Sequence, residues 1–259
     1  MKYLILMILL SSCAFKSVIL SNADYLVANR VGNKIDLSRD QEKILRKDID
    51  AYFFENVSEV EKIRELIIKI NITEFKIEKF LNDIYPIYET LYLKFIPLLS
   101  RPMSQFSKRQ IKNLFEIAEE DNDMLLQRSK KDKTDEYAKR FKFFFGDLSK
   151  EQRNFIKEEK SIFQSLNENR LKNRLKTQST LREAFELKDE PERLTMINDI
   201  FSKNLSKTET FAGFHSVLPL INKMIKELSL EQKAYFESKR NEVLDWIELF
   251  LRKYSKKTS

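Results

Sequence analysis

The chain has 259 residues, 42% of them hydrophobic and 34% charged, with 47 Lys and Arg against 40 Asp and Glu for a formal net charge of +7. That length suits one large domain or two small ones, with enough apolar content for a core and too little for a membrane bundle. Three glycines, five prolines, one cysteine and one histidine exclude a many-turned sandwich or barrel, a Gly-rich phosphate loop, a disulfide scaffold and a zinc framework.

Met1-Lys2 precedes an apolar run, Tyr3 to Leu10, that is far shorter than the roughly 20 residues a bilayer-spanning helix needs. A positive start, a short apolar core and small residues before a cut describe a secretory signal. Here the small residues lead into the only cysteine, and Leu10-Ser11-Ser12-Cys13 resembles the bacterial lipobox. The resemblance implies a diacylglyceryl group on the Cys13 thiol and cleavage before it. Residues 1–12 are then a lipoprotein signal peptide, and residues 13–35 a lipid-anchored tether leading into the fold. At about 0.8 kcal/mol per buried methylene, two or three acyl chains anchor durably where one does not. The thiol is consumed, so no disulfide forms even in an oxidising compartment. By the sorting rule of Gram-negative lipoproteins, Ala14 after the cysteine, in place of Asp, implies the periplasmic face of the outer membrane. An ordinary signal peptide, or a buried apolar N-terminal strand with an incidental cysteine, is the competing reading.

From Asp36 to Tyr254 a helical period dominates. Leu45, Ile49, Tyr52 and Phe53 share a face, as do Val60, Ile63, Ile67 and Ile70, and the second run continues through Ile77, Leu81, Ile84, Tyr88 and Leu91. Pro86 and Pro97 predict a bend near Tyr85 and a stop near Ile96, because proline removes a helix hydrogen bond. Further stripes are Ile111/Leu114/Phe115/Ala118, Tyr137/Phe141/Phe144/Phe145, Phe155/Ile162/Phe163/Leu166 and Phe236/Val243/Ile247/Leu251. The polar stretch Arg128 to Lys133 predicts a break. No strand-type alternation competes. The fold predicted is all-α: an elongated multi-helix bundle of long antiparallel helical hairpins, with residues 36–259 as a single helical domain.

One punctuation mark recurs. Leu37-Ser38-Arg39-Asp40-Gln41, Phe106-Ser107-Lys108-Arg109-Gln110, Leu148-Ser149-Lys150-Glu151-Gln152 and Leu228-Ser229-Leu230-Glu231-Gln232 each place a hydrophobe, a Ser and then a Gln three residues on. This is the capping-box spacing, in which the Ser hydroxyl accepts from the N3 amide and the N3 side chain reaches back to the Ser amide. Asp40, Glu151 and Glu231 favour helix N-termini through the macrodipole. Helices therefore start at Ser38, Ser107, Ser149 and Ser229. Asp189-Glu190-Pro191 marks another start, and Gly213 and Pro219 a further break. Ser149 to Leu187 holds no Pro or Gly, which allows one helix of about 58 Å. The unequal spacing of the boxes argues against a solenoid.

Together with the lipobox and the boxes, Asn22-Ala23-Asp24-Tyr25-Leu26 and the stretch Phe144-Phe145-Gly146-Asp147-Leu148-Ser149-Lys150-Glu151-Gln152-Arg153 resemble a family of Gram-negative bacterial lipoproteins of unknown function. Arg174 and Gln178 fall where that family has a basic helix with Arg and Gln. The order of the motifs carries most of the resemblance. Val27-Ala28 stand where the family usually has tryptophans, so a Trp-dependent surface is not implied. A weaker similarity links the boxes to small helical periplasmic chaperones of the LTxxQ type. Convergence on a capping box is the plainer account of that similarity.

Little in the chain points to catalysis. His215 is the single imidazole and lies outside any Gly-x-Ser-x-Gly elbow. Glu119-Glu120-Asp121 and Glu158-Glu159 have neither calcium-loop nor paired acid/base spacing and read as solvated faces. The chain reads as non-enzymatic, without cofactor or metal. Arg170, Lys172, Arg174, Lys176 and Arg182 form a stretch without acids, a candidate surface for anionic lipid or an acidic protein; the alternative is a helix face neutralised by its neighbours. Lys253, Lys256 and Lys257 form a basic tail open to the same two readings. Phe141, Phe143, Phe144 and Phe145 line either a client groove or the core. The expected partners are the membrane through Cys13, and envelope proteins or anionic lipid; export disfavours nucleic acid.

Overall fold

The computed structural model describes residues 20, 22–129, 134–203 and 207–255, and among them eleven helices and no strand are present. The protein is an all-α multi-helix bundle. In chain order the helices are α1 (Ala23–Ile35), α2 (Arg39–Glu55), α3 (Val57–Ile68), α4 (Ile77–Ser104), α5 (Lys108–Ser129), α6 (Thr134–Phe145), α7 (Lys150–Glu158), α8 (Lys160–Glu186), α9 (Glu190–Lys203), α10 (Lys207–Lys226) and α11 (Leu230–Ser255). All four Ser-x-x-Gln boxes start helices with both reciprocal bonds made. The Ser hydroxyl oxygens accept from the Gln41, Gln110, Gln152 and Gln232 amides, and the Gln side chains accept from the Ser amides. Asp189 likewise accepts from the Glu192 amide at 3.0 Å, one residue ahead of the Glu190-Pro191 start.

Where the sequence predicts one helical domain over 36–259, the chain divides into two compact units. The first takes residues up to Lys69 together with 241–259, and the second runs from Ile70 to Arg240. Residues 23–35, expected as part of a tether, are instead a packed helix. Its rows at Asp24, Ala28 and Gly32 are buried, and Asp36 closes it in a left-handed conformation, donating its amide to the Gly32 carbonyl. Leu45 and Ile49 of α2 and Leu251 and Tyr254 of α11 fill the interior of this unit, where the Phe53 ring meets Phe250 and Tyr254 edge-on.

The second unit is built from antiparallel pairs. In α4 and α9, Ser100 donates to Asn198 at 2.6 Å, and Arg193 donates both to the Ser104 carbonyl at 2.7 Å and to the Leu187 carbonyl at 2.6 Å. One guanidinium thus satisfies the C-terminal ends of α4 and α8, which would otherwise be left with orphan carbonyls. Pro97 does not stop α4, contrary to the sequence reading; Pro86, Pro97 and Pro102 all lie inside it. The acceptors that Pro86 and Pro97 abandon belong to Asn82 and Leu93, both exposed residues, so water can take them. Packing of buried Ile96, Ser100 and Met103 holds the helix together. The single 58 Å helix also divides: Glu159 leaves helical geometry at φ −91°, ψ 18° and separates α7 from α8. That break lets Ile156 on α7 and Phe163 on α8 enter one cluster with Ile72, Phe141, Phe145, Leu148, Leu220, Met224 and Leu228. Tertiary packing overrides a locally uninterrupted helical sequence here.

Candidate functional site

The third and fourth boxes meet face to face. Gln152 and Gln232 exchange two side-chain hydrogen bonds, Nε2 of each donating to Oε1 of the other at 3.0 and 2.9 Å. Each Nε2 also donates to a backbone carbonyl two residues before the Ser of the opposite box: Gln152 to Glu227 at 3.1 Å, Gln232 to Asp147 at 2.8 Å. Each Oε1 accepts from its own Ser amide at 2.9 and 3.1 Å. The orientation of both amides is therefore dictated by flanking N–H and C=O groups. Gln152 is 1% exposed, and Leu148 and Leu228, the hydrophobes that open the two boxes, lie together in the core. The boxes are a buried clasp joining the starts of α7 and α11, and their chemistry is structural.

The basic stretch does not form one surface. Residues two apart on a helix point about 200° apart, so Arg170 and Arg174 share a side while Lys172 and Lys176 share another. On α8, Arg174 pairs with Asp121 at 3.5 Å, Arg182 pairs with Glu119 at 2.6 Å and stacks over Phe115 at 3.9 Å, and Asn122 donates to Gln178 at 2.7 Å. The acidic run of α5 is the counter-surface to two of the five basic residues. Arg170, Lys172 and Lys176 remain exposed. Such part-exposed pairs contribute about 0.2–1 kcal/mol each and chiefly set the register between the two helices.

The phenylalanine cluster splits by helical period. Phe141 and Phe145, one turn apart, are core. Phe143 and Phe144 are 59% and 50% exposed, with rings in a T-shaped pair at 5.1 Å. Lys239 of α11 lies 5.3 Å from the Phe143 ring centre and 5.8 Å from that of Tyr235. Tyr235 covers Gly146, whose φ of +76° favours glycine and where a Cβ would come within 3.3 Å of the tyrosine ring. Tyr235 and Lys239 lie about ninety residues from the phenylalanines they join, and no local pattern announces them.

In the first unit the Asn22–Leu26 segment opens α1, and its Asp24 is buried. Arg46 donates to Asp24 at 2.6 Å, and Lys253 lies 3.9 Å from the same carboxylate. Burial raises the Asp24 pKa, but the hydrogen bond and charge of Arg46, with the charge of Lys253, outweigh it and hold the carboxyl below its ordinary value. Lys253 also donates to the Leu20 carbonyl at 2.8 Å and to the Tyr254 hydroxyl at 2.7 Å. Burial pushes the Tyr254 hydroxyl up and raises Tyr52 to about 12. Lys253, read from sequence as part of a basic tail, therefore works as an internal fastener. Lys256 and Lys257 lie outside the described residues, as does Cys13.

His215 is exposed on α10, and Glu78 accepts from Asn222 at 3.0 Å. Glu158 pairs with Lys223 at 3.4 Å. Among the described residues no group of three or more His, Cys, Asp and Glu is placed to hold a metal ion, and no helix is long and apolar enough to cross a membrane. No family model matches the chain, and neither a curated protein nor a solved structure does.

Proposed function

We propose that this protein is a lipoprotein held at the periplasmic face of the outer membrane through Cys13. Its helical units bind other envelope proteins in a chaperone-like, non-enzymatic role. The observation that carries the anchor is the place of the only cysteine, at the end of a short apolar run that follows Lys2 and ends in Ser11-Ser12. The resemblance of the motif order to Gram-negative lipoproteins supports the same location. The binding role rests on Phe143 and Phe144, an exposed aromatic pair beside a lysine, since exposed aromatic clusters favour protein contacts. A photoreactive residue at position 144, activated in intact cells, is expected to capture envelope proteins that the same probe at exposed Glu168 does not. Equal capture from both positions, or none from position 144, would remove the binding role.

A second reading is a structural or anionic-lipid-contacting factor that uses the basic stretch around 170–182. The exposure of Arg170, Lys172 and Lys176 favours it; the pairing of Arg174 and Arg182 with α5 carboxylates weighs against it.

A further inference from the structure

The start of α1 is fastened, not loose. Asp24 is clamped between Arg46 and Lys253, and Lys253 also holds the Leu20 carbonyl. Only Ala14 to Ile19 separate Leu20 from Cys13. Seven steps of chain span at most about 25 Å when fully extended. A lipid on Cys13 therefore confines the α1 end of the first unit to within that distance of the bilayer, comparable to a few headgroup thicknesses.

The outward side of α1 suits that position. Asn22, Tyr25, Leu26, Arg30 and Asn33 are exposed, with Tyr25 at 44% and Leu26 at 45%. The only carboxylate within α1 is Asp24, turned inward and paired. Arg46 of α2 extends over the Tyr25 ring, 5.5 Å from its centre, with half of its side chain exposed. An exposed tyrosine, an exposed aliphatic residue and arginines that reach solvent are the groups an anionic interface takes up. Arg30 is exposed, and Arg46 keeps half of its side chain in solvent while bonded to Asp24. On α8, by contrast, Arg174 and Arg182 are taken up by the α5 carboxylates, and the exposed Arg170, Lys172 and Lys176 have no exposed aromatic beside them among the described residues.

We propose that this face of the first unit, formed by Tyr25, Leu26, Arg30 and Arg46, lies directly on an anionic phospholipid surface. The proposal rests on the lipoprotein reading for its geometry. It assigns the lipid contact to α1 in place of the basic stretch of α8. Anchor and face then act as two linked sites: the acyl chains hold the protein at the bilayer, and α1 sets which side of the unit faces it.

The test uses the mature chain from residue 13 with Cys13→Ser, so that no lipid is attached. Sedimentation with vesicles of phosphatidylglycerol and phosphatidylethanolamine, compared with phosphatidylcholine alone, reads the surface by itself. Binding to the anionic vesicles is expected, with little to phosphatidylcholine. Arg30→Glu is expected to weaken it about thirtyfold, from the attraction of one basic residue lost and a like repulsion gained. Tyr25→Ser with Leu26→Ser should weaken it to a similar extent, with unchanged helix content by circular dichroism. Lys172→Glu with Lys176→Glu should leave it unaltered. No binding by the parent chain, or binding lost only with the α8 pair, overturns the proposal. Because this chain carries no lipid, either failure is independent of whether Cys13 is acylated in cells.

Discussion

Replacing Gln152 by leucine is expected to lower stability by about 3 kcal/mol, the penalty of stranding several buried polar groups at once. The substitution orphans the Glu227 carbonyl and the Ser149 amide, and removes both bonds to the Gln232 side chain. The two Gln152–Gln232 bonds are buried, the Ser149 and Glu227 backbone groups are part-buried, and Gln152 itself is almost wholly buried. The same change at Gln41, whose box bonds are exposed, is expected to cost at most about 1 kcal/mol, the ordinary worth of a helix cap. Urea unfolding followed by circular dichroism measures both. Adding Gln232→Leu to Gln152→Leu should cost less than the sum of the two, since removing both partners with apolar groups of similar size leaves fewer unmet bonds. Equal losses at Gln41 and Gln152, or simple additivity of the pair, would show that the clasp is no more than two separate caps.

Phe163→Ala is expected to remove about 3–5 kcal/mol, the range for truncating a buried aromatic ring. Phe163 is fully buried, stacks on Tyr137 with ring centres 3.6 Å apart, and occupies the cluster where α6, α7, α8 and α10 meet. A cavity there cannot collapse without moving Ile156 or Met224, both of which are also fully buried. Against total stabilities of about 5–15 kcal/mol, such a loss is a large share. Phe144→Ala, at an exposed position, should change the unfolding free energy by no more than about 0.5 kcal/mol. If the two phenylalanines respond alike, the placing of Phe163 in the core and Phe144 at the surface is wrong.

The helix starts were legible because a capping box is local: its donor and acceptor are three residues apart, and Ser and Gln declare them. The pairing of Gln152 with Gln232 was not legible, since their residues are eighty positions apart and nothing in either box marks it as buried. Pro97 misleads because the cost of a lost helix bond is counted without the burial of Ile96, Ser100 and Met103 and the bond from Ser100 to Asn198 of α9. Glu159 misled in the opposite direction: an uninterrupted helical sequence broke so that two apolar faces could share a core. The basic stretch read as one surface because charge was counted along the chain, whereas helical geometry sends alternate cations to different sides. Asp24 and Lys253 lie at opposite ends of the chain, so their ion pair, and the face of α1 that it fixes, could be seen only in three dimensions.

The central claim is that Cys13 carries the anchor. Growth with radiolabelled palmitate, followed by recovery of the protein from cells expressing the native chain or Cys13→Ala, tests it directly. The account predicts label on the native protein, found with the membranes, and none on Cys13→Ala. Label that persists on Cys13→Ala, or is missing from both, would contradict it.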